Sequence, residues 1–242
     1  EFINNGGYEN ENYWDFPIIL DGIKYTYENA IKSFVDKHGQ YGPMDWSYGK
    51  FEANRENFPV TGISWFEARA YARYKDMALP NVFQWLCAAG LSGFVDNLPD
   101  ISNSNLQANY FWDVNDPRPE NYCGIKNIAG NVREWATNPM GLEKSKYSIL
   151  GGSYFDNPYS FNEYHSVSPF DRSIGNGFRV VKSQENQIQD DFIITYNQRD
   201  ILSEPDVSED VFNVYKKQFE YDDYDLDVTT ESISGYDGYE VQ

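Results

Sequence analysis

Sulfur and basic charge are both scarce in this chain of 242 residues. It holds two cysteines and two histidines, and 38 acidic residues stand against 19 lysines and arginines, for a formal charge of −19. Nucleic-acid backbones are bound mainly through Lys and Arg, so this balance argues against a nucleic-acid ligand. It equally disfavours attraction to an anionic membrane surface. No apolar run approaches the ~18 residues that cross a bilayer, and the sequence shows no secretory signal.

The few sulfur and imidazole groups limit the chemistry further. Cys87 and Cys123 lack the close spacing of a zinc site and can form at most one disulfide, and the sequence leaves their pairing open. Each is expected to be a small buried residue, because free cysteine packs as a small hydrophobe. His165 is the one candidate for a general base near neutral pH. It has no recognisable nucleophile or acid beside it, so we assign no catalytic residue.

What the chain has in quantity is aromatic and turn-forming residues. Rings make up 17% of the sequence, and Gly, Pro and Asn are abundant, which predicts a loop-rich α+β domain with a core built largely from rings. Helices are expected after Thr26, after Ser64 with Glu67 in a capping box, and over 81–89 with Gly90 as the stop. Strands are expected near 148–154 and 177–182.

A change of composition predicts two regions, 1–182 and 183–242. The second holds 16 acidic residues against three basic ones and carries −13 of the total charge, which is typical of a solvated connector. Within it, Ser208 is expected to cap a short helix with an apolar stripe formed by Val211, Phe212, Tyr215 and Phe219. The stripe predicts docking onto the main domain or onto a further domain. Because the chain begins with Glu rather than Met, we expect it to be part of a longer protein.

Three short motifs point to a family. Residues 124–135 read Gly-Ile-Lys-Asn-Ile-Ala-Gly-Asn-Val-Arg-Glu-Trp, residues 150–154 read Leu-Gly-Gly-Ser-Tyr, and residues 176–179 read Asn-Gly-Phe-Arg. In this order they resemble the signature of the formylglycine-generating-enzyme, or sulfatase-modifying-factor, family. The resemblance implies that family's α+β fold, which is related to C-type lectins and has little regular secondary structure.

The resemblance also implies a calcium site in the first motif. Carried over by position, the ligands are Asn127, Gly130, Val132 and Glu134. The donor types suit the ion, because Ca²⁺ takes six to eight hard oxygens and a glycine-containing turn lets carbonyl groups converge. The alternative is that Asn127 and Glu134 hydrogen-bond loop amides.

Copper chemistry is not expected. In copper-dependent members of the family, a cysteine lies three residues after the Ser of the Gly-Gly-Ser motif and a second lies five residues further on. Here those positions are Asp156 and Phe161. A carboxylate and a phenyl ring cannot supply the two thiolates that soft Cu(I) prefers, so we do not expect formylglycine generation.

Three further segments, 2–9, 169–173 and 207–222, sharpen the resemblance. They resemble a bacterial subgroup in which this domain lies between a serine/threonine protein kinase and an α/β-hydrolase-like domain, often with a membrane span after the kinase. The resemblance implies flanking kinase and hydrolase-like domains as partners. It favours the extracytoplasmic side of a bacterial membrane protein, with the cytoplasm as the alternative. Neither a kinase glycine loop nor a Gly-x-Ser-x-Gly elbow occurs here.

The function expected on these grounds is a ligand- or protein-binding module, since the fold presents long loops over one face. A cleft is predicted from Trp135, Tyr154, Asp156, His165, Asp171 and Arg172, with Trp112 and Tyr159 nearby. For Asp171 and Arg172 a loop-fixing ion pair is the alternative. The rival function is a metal-dependent oxidoreductase or sulfatase-maturation enzyme that uses Asp156 with His165. A structural spacer is the third hypothesis.

Overall fold

The chain forms two compact units, Glu1–Tyr196 and Asn197–Gln242. The computed structural model describes residues 1–91, 104–117, 120–121, 123–141, 144–161, 163, 165–182, 193–194, 203–220, 230–232 and 239–241. The first unit continues beyond the predicted boundary after Lys182. One reason is that Ile194 bridges to the end of a central strand, where its N–H donates to the Pro139 carbonyl (3.1 Å) and its carbonyl accepts from the Gly141 N–H (2.9 Å).

The first unit opens with a hairpin and a short helix. Strands β1 (Ile18–Leu20) and β2 (Ile23–Tyr25) pair antiparallel. Helix α1 (Tyr27–Ala30) follows and continues as a 3-10 turn over Ile31–Ser33. The helix predicted after Thr26 is therefore present but short, because the chain leaves helical geometry at Phe34 (φ −93°, ψ 63°).

The next two helices begin where the sequence predicts, and the second also ends at the predicted residue. Helix α2 (Trp65–Tyr74) starts with the expected capping box, in which the Glu67 N–H donates to Ser64 Oγ (3.2 Å) and the Ser64 N–H donates to the Glu67 carboxylate (2.8 Å). Helix α3 (Val82–Ala89) has a second capping box and ends at Gly90, whose φ of +81° gives the left-handed C-terminal cap. Both helices are confirmed.

A four-stranded sheet forms the centre of the unit. Its strands are β3 (Arg133–Met140), β4 (Lys146–Leu150), β5 (His165–Val167) and β6 (Asn176–Gly177). Their order is β5-β4-β3-β6, with β3 and β6 parallel and the other two pairings antiparallel. The predicted strands overlap β4 and β6. Strand β3 was not predicted, because all of its residues except Arg133 are buried and no alternation marks it.

Two clusters of rings and aliphatic side chains make up the core. The larger packs α2 against the sheet, with Phe34, Phe66 and Trp135 almost fully buried. The smaller surrounds Trp85 of α3, and Gly151 lies so close that a Cβ there would be 2.8 Å from the Trp85 ring. The ring-rich core expected from composition is thus present.

The second unit contains the predicted helix, α4 (Glu209–Lys216), with the Ser208 side chain accepting from the Val211 N–H. The four residues of the predicted apolar stripe are all exposed. A hairpin of β7 (Thr230–Ser232) and β8 (Tyr239–Val241) follows. Among the described residues of the chain, no helix combines the length and the apolar character needed to cross a membrane.

Candidate functional site

The turn that leads into β3 is fixed by close backbone packing. Gly130 has φ +80°, and a Cβ at this position would be only 2.2 Å from the Asn105 carbonyl oxygen. The Gly130 N–H donates to the Gly151 carbonyl (2.8 Å), and the Asn131 N–H donates to the Asn105 carbonyl (2.9 Å). Only glycine fits at position 130, so this turn holds β3 against the Gly-Gly-Ser segment.

Glu134 on β3 is buried and fully engaged. Its Oε2 accepts from Trp85 Nε1 (2.8 Å) and Arg179 Nε (3.1 Å), and its Oε1 accepts from Arg179 Nη2 (2.9 Å). The attraction of Glu134 raises the pKa of the Arg179 guanidinium above its usual value, against the effect of burial. Arg179 also donates to the Lys126 carbonyl (3.0 Å). Arg179 therefore connects the loop at Lys126 to the sheet.

The four predicted calcium ligands lie on this one segment. Asn127 has a left-handed backbone (φ +53°), and Gly130 and Val132 follow before the Glu134 carboxylate. Amide, carbonyl and carboxylate oxygens are the donor types that calcium takes. However, the charge of Glu134 is already balanced by Arg179. Across the described part of the chain, no three His, Cys, Asp or Glu side chains gather as metal ligands. Calcium here stays a prediction.

The position of the first copper-binding cysteine is occupied by an ion pair. Asp156 accepts from Arg133 through both oxygens, at 2.8 Å to Nε and 2.6 Å to Nη2. The Ser153 N–H and hydroxyl add hydrogen bonds of 2.7 and 2.8 Å. Burial alone would raise the pKa of Asp156, but these hydrogen bonds outweigh it and hold the pKa below its usual value. Phe161, at the second cysteine position, is buried against Trp85.

The structure does not bring the six predicted cleft residues together. Trp135 has no exposed surface and donates from Nε1 to the Ile63 carbonyl, so its assignment to a cleft is corrected: its ring packs in the core. His165 is half-exposed on β5 and lies 2.9 Å from Glu163. Tyr154 is half-buried, with its ring centroid 4.5 Å from that of Phe111.

Asp171 and Arg172 belong to different networks, so the alternative of an ion pair between them is also corrected. Asp171 accepts from the Asn176 side chain (2.9 Å). Arg172 turns inward to Glu67 (3.0 Å from Nη2 to Oε1), whose other donors include the Tyr8 hydroxyl (2.8 Å). Burial raises the pKa of the Glu67 carboxyl.

Arg172 also joins the loops around this buried pair. Its Nη1 donates to the carbonyls of Ser33 (3.1 Å) and Val35 (2.8 Å), and its Nη2 donates to that of Gly42 (2.6 Å). The side chain of Arg172 is only 10% exposed. It therefore acts as a loop-fixing group, and it is not free to bind a ligand.

A groove that sequence reasoning missed lies between segment 45–61 and residues 110–111. It encloses about 160 Å³ and is lined by rings and carboxylates, namely Trp46, Phe51, Phe58, Tyr110 and Phe111 with Asp45, Glu52 and Glu56. Trp46 and Phe51 pack edge to face, and Tyr110 also lies beside Tyr154. The signal in the sequence was the density of rings and acidic residues over 45–58.

The guanidinium of Arg55 lies in the groove. Arg55 lies 2.9 Å from Glu52, and its guanidinium carbon is 4.6 Å from the centroid of the Tyr110 ring. Asp45 accepts from the Thr61 hydroxyl (3.1 Å), and burial raises the pKa of the Asp45 carboxyl. Within the described structure, Oδ1 of Asp45 is buried and accepts no hydrogen bond. Three carboxylates and one guanidinium thus line the groove.

Comparison with known proteins agrees with the motifs. Residues 1–184 match the family model of the sulfatase-modifying factor enzyme 1-like domain. The chain is 25% identical to hercynine oxygenase of Mycolicibacterium thermoresistibile (57% of this chain, 32% of that protein). It is 30% identical to inactive C-alpha-formylglycine-generating enzyme 2 of Bos taurus (41% and 39%). It is 33% identical to the serine/threonine-protein kinase pkn1 of Chlamydia caviae (35% and 14%).

Among solved structures, Treponema denticola variable protein 1 is similar with a TM-score of 0.45 and 16% identity, over 57% of this chain and 74% of that one. The chain spans 14% to 39% of the length of the three relatives named above. The family match, in contrast, runs over residues 1–184 of 242. The predicted family and its loop-rich mixture of helix and sheet are therefore confirmed, and the chain belongs to the sulfatase-modifying factor enzyme 1-like family, which includes the formylglycine-generating enzymes.

Proposed function

We propose that this domain is a binding module within a larger multidomain protein and that it does not carry copper-dependent oxidation. The observation that supports this most directly is the state of Asp156. Its two oxygens are held by Arg133 and Ser153, so the position offers a satisfied ion pair where the family resemblance places a thiolate ligand. A hard carboxylate in this state is a poor ligand for Cu(I).

The groove beside Asp45 is the binding surface in this proposal, and a basic protein segment is its ligand. Three carboxylates against one guanidinium leave an excess of negative charge. Ring faces attract cations, as the position of Arg55 over Tyr110 illustrates within the chain. A volume of about 160 Å³ is smaller than the ~300–1,000 Å³ of sites for drug-sized ligands. It therefore suits a side chain of a protein partner better than a whole small molecule.

The wider context of the domain is part of the proposal. Two relatives are named as serine/threonine-protein kinases of Chlamydia, and another is named as an inactive formylglycine-generating enzyme. These names support a kinase-linked domain that does not generate formylglycine. Together with the resemblance of segments 2–9, 169–173 and 207–222 to the kinase-linked bacterial subgroup, this leads us to propose flanking kinase and hydrolase-like domains and an extracytoplasmic position in a bacterial membrane protein.

A metal-dependent oxidoreductase is the rival, and three relatives are named as hercynine oxygenases. The predicted ligands for such a site were Asp156 and His165. In the structure each has its own charged neighbour, Arg133 for Asp156 and Glu163 for His165. The rival would require the ion pair between Asp156 and Arg133 to break, and for this reason we prefer the binding module.

A calcium ion at 127–134 is a further part of the proposal. Calcium affinity follows the number of charged ligands, and this segment has one carboxylate whose charge Arg179 already offsets. We therefore expect weak binding, with a Kd of about 10⁻⁴–10⁻³ M, in the range of extracellular calcium modules. The ion would hold the turn and would not take part in a reaction.

The binding proposal is tested by calorimetric titration with two synthetic peptides of equal length, one alternating Arg and Ser and the other alternating Glu and Ser. The Arg peptide should bind and the Glu peptide should not. The double variant Asp45→Asn/Glu56→Gln should bind the Arg peptide about tenfold more weakly, because two partly exposed ion contacts of roughly 0.7 kcal/mol each are lost.

The matched control is Asp21→Asn/Glu28→Gln, which removes the same charges at exposed positions outside the groove and should leave the affinity unchanged. If both double variants lose the same affinity for the Arg peptide, the binding is a nonspecific effect of the protein's charge and not a property of the groove. Binding of neither peptide would reject a basic ligand. Oxygen consumption after loading with Cu⁺ or Fe²⁺, or conversion of a cysteine-containing sulfatase peptide to its aldehyde, would instead establish the enzyme.

A further inference from the structure

The two cysteines of the chain lie side by side on the surface. Both are free and exposed, which corrects the expectation that each is a buried small residue. Cys87 lies in the last turn of α3, and the sulfur of Cys123 is 3.7 Å from the Cys87 carbonyl oxygen. These residues are 36 positions apart in the sequence. The fold, and not local chain geometry, brings them together.

The turn that carries Cys123 is held in place beside the helix end. Asn121 Oδ1 accepts from the Cys123 N–H (3.0 Å) and the Ile125 N–H (2.9 Å), and Asn121 Nδ2 donates to the Ala88 carbonyl (2.7 Å). A single amide side chain therefore closes the turn and fixes it to the residue that follows Cys87. This arrangement limits how far the two cysteines can separate while the protein stays folded.

We propose that Cys87 and Cys123 form a reversible disulfide, a thiol–disulfide site outside the groove and independent of the binding proposal. A disulfide needs Cα atoms about 4.4–6.8 Å apart and sulfurs at about 2.0 Å. The Cys123 sulfur already contacts the Cys87 backbone, so rotation of two exposed side chains at a helix end can complete the approach. The bond would tie α3 to the turn preceding the 127–134 segment.

Oxidised glutathione, a disulfide of the class found in oxidising compartments, serves as the oxidant. One cysteine thiolate attacks a sulfur of oxidised glutathione and expels one glutathione thiolate. The second thiolate attacks the protein sulfur of this mixed disulfide and expels the other glutathione. The protein loses two electrons and two protons, and the oxidant becomes two molecules of reduced glutathione. Excess reduced glutathione reverses both steps.

The experiment compares the folded and the urea-unfolded chain in the same series of glutathione buffers, with acid quenching, alkylation by a polyethylene-glycol maleimide and intact mass measurement. Because 36 positions separate the thiols, they meet rarely in the unfolded chain. The internal disulfide should form at a more reducing glutathione ratio in the folded protein. Equal ratios for the two states, or only glutathione adducts on the folded protein, would overturn the proposal.

Variants separate proximity from simple thiol exposure. Cys87→Ser and Cys123→Ser should each yield only glutathione adducts or linked dimers, with no internal bond. Asn121→Asp keeps the acceptor oxygen of the turn but loses the donor to Ala88. It should therefore bring the glutathione ratios at which the disulfide forms in the folded and the unfolded chain closer together, although both thiols remain. If the two glutathione ratios stay as far apart as in wild type, and circular dichroism shows native structure, the anchored turn does not position Cys123.

Discussion

Arg133 and Asp156 form a two-pronged ion pair, with nitrogen–oxygen distances of 2.8 and 2.6 Å, between the start of β3 and the loop after the Gly-Gly-Ser motif. Their side chains are 24% and 13% exposed. The pair joins two segments 23 positions apart, and the Ser153 N–H and hydroxyl bind the same carboxylate. This arrangement predicts that the pair stabilises the loop.

Asp156→Ala should lower the free energy of unfolding by about 1–3 kcal/mol, the usual range for a hydrogen-bonded charged group that is partly buried. Urea denaturation measures it. With Arg133→Met, a double-mutant cycle should give a favourable coupling energy, because both single changes remove the same contact. Glu163→Gln, which removes the exposed contact to His165, should change stability by less than ~0.5 kcal/mol. Additive effects of the Asp156 and Arg133 changes would contradict the ion pair.

The lowered pKa of Asp156 also predicts a pH dependence. An unfolded aspartate titrates near 3.9, so the stabilising contribution of the ionised carboxylate is fully present above about pH 5. It is lost as the pH falls through the lower folded pKa. The difference in unfolding free energy between wild type and Asp156→Asn should therefore be constant from neutral pH to about pH 5 and then shrink. A difference that grows on acidification would mean that burial, and not Arg133, dominates this carboxyl.

Gly130 and Gly39 give a matched comparison of backbone strain and crowding. Both have positive φ, +80° and +77°, but a Cβ at Gly130 would be 2.2 Å from the Asn105 carbonyl while nothing lies within 4 Å at Gly39. Gly39→Ala should cost about 1–2 kcal/mol from conformation alone. Gly130→Ala should cost about 1–3 kcal/mol more, because overpacking is added. Thermal and urea unfolding measure both changes in unfolding free energy. Equal losses would show that the turn at Gly130 shifts to make room for the added methyl group.

Calcium should raise the melting temperature of the wild-type protein only at millimolar concentration, as the balanced charge of Glu134 implies. Magnesium at the same concentration serves as the control, since it demands closer to ideal octahedral geometry. Asn127→Gly removes the side-chain ligand and keeps the left-handed backbone, so it should remove the calcium effect while leaving the melting temperature without calcium close to that of wild type. Micromolar affinity would mean that Arg179 leaves Glu134. If calcium leaves the melting temperature unchanged at every concentration, the calcium site is rejected.

Local signals were enough to predict the helices. Ser64 with Glu67, and Gly90 after α3, act within a few residues, so their spacing in the sequence already contains the interaction. The family motifs likewise identified the turn at Gly130. Strand β3 escaped prediction because it is buried on both faces and contains Pro139 beside a shift in register with β4.

The candidate sites depend on contacts that sequence spacing does not show. Arg172 meets Glu67 across 105 positions, so nothing near Arg172 indicated that its guanidinium turns inward. Trp135 was assigned to the cleft because the family resemblance gathers polar and aromatic residues there, yet the sheet and α2 enclose its ring. The groove combines segment 45–61 with Tyr110, and only the fold brings these two parts together.

Arg172 helps to hold the groove wall that carries Asp45, and this affects how strongly the groove can bind a ligand. Its guanidinium fixes the Gly42 carbonyl, and the N–H of Met44, the residue just before Asp45, donates to the Gly62 carbonyl at 2.8 Å. A wall held in this way is preorganised, so a ligand would lose little affinity to the ordering of a flexible loop. Arg172→Met should loosen that wall and lower the affinity for a ligand, because binding would then have to order the loop. The loss would occur even though residue 172 does not contact the ligand.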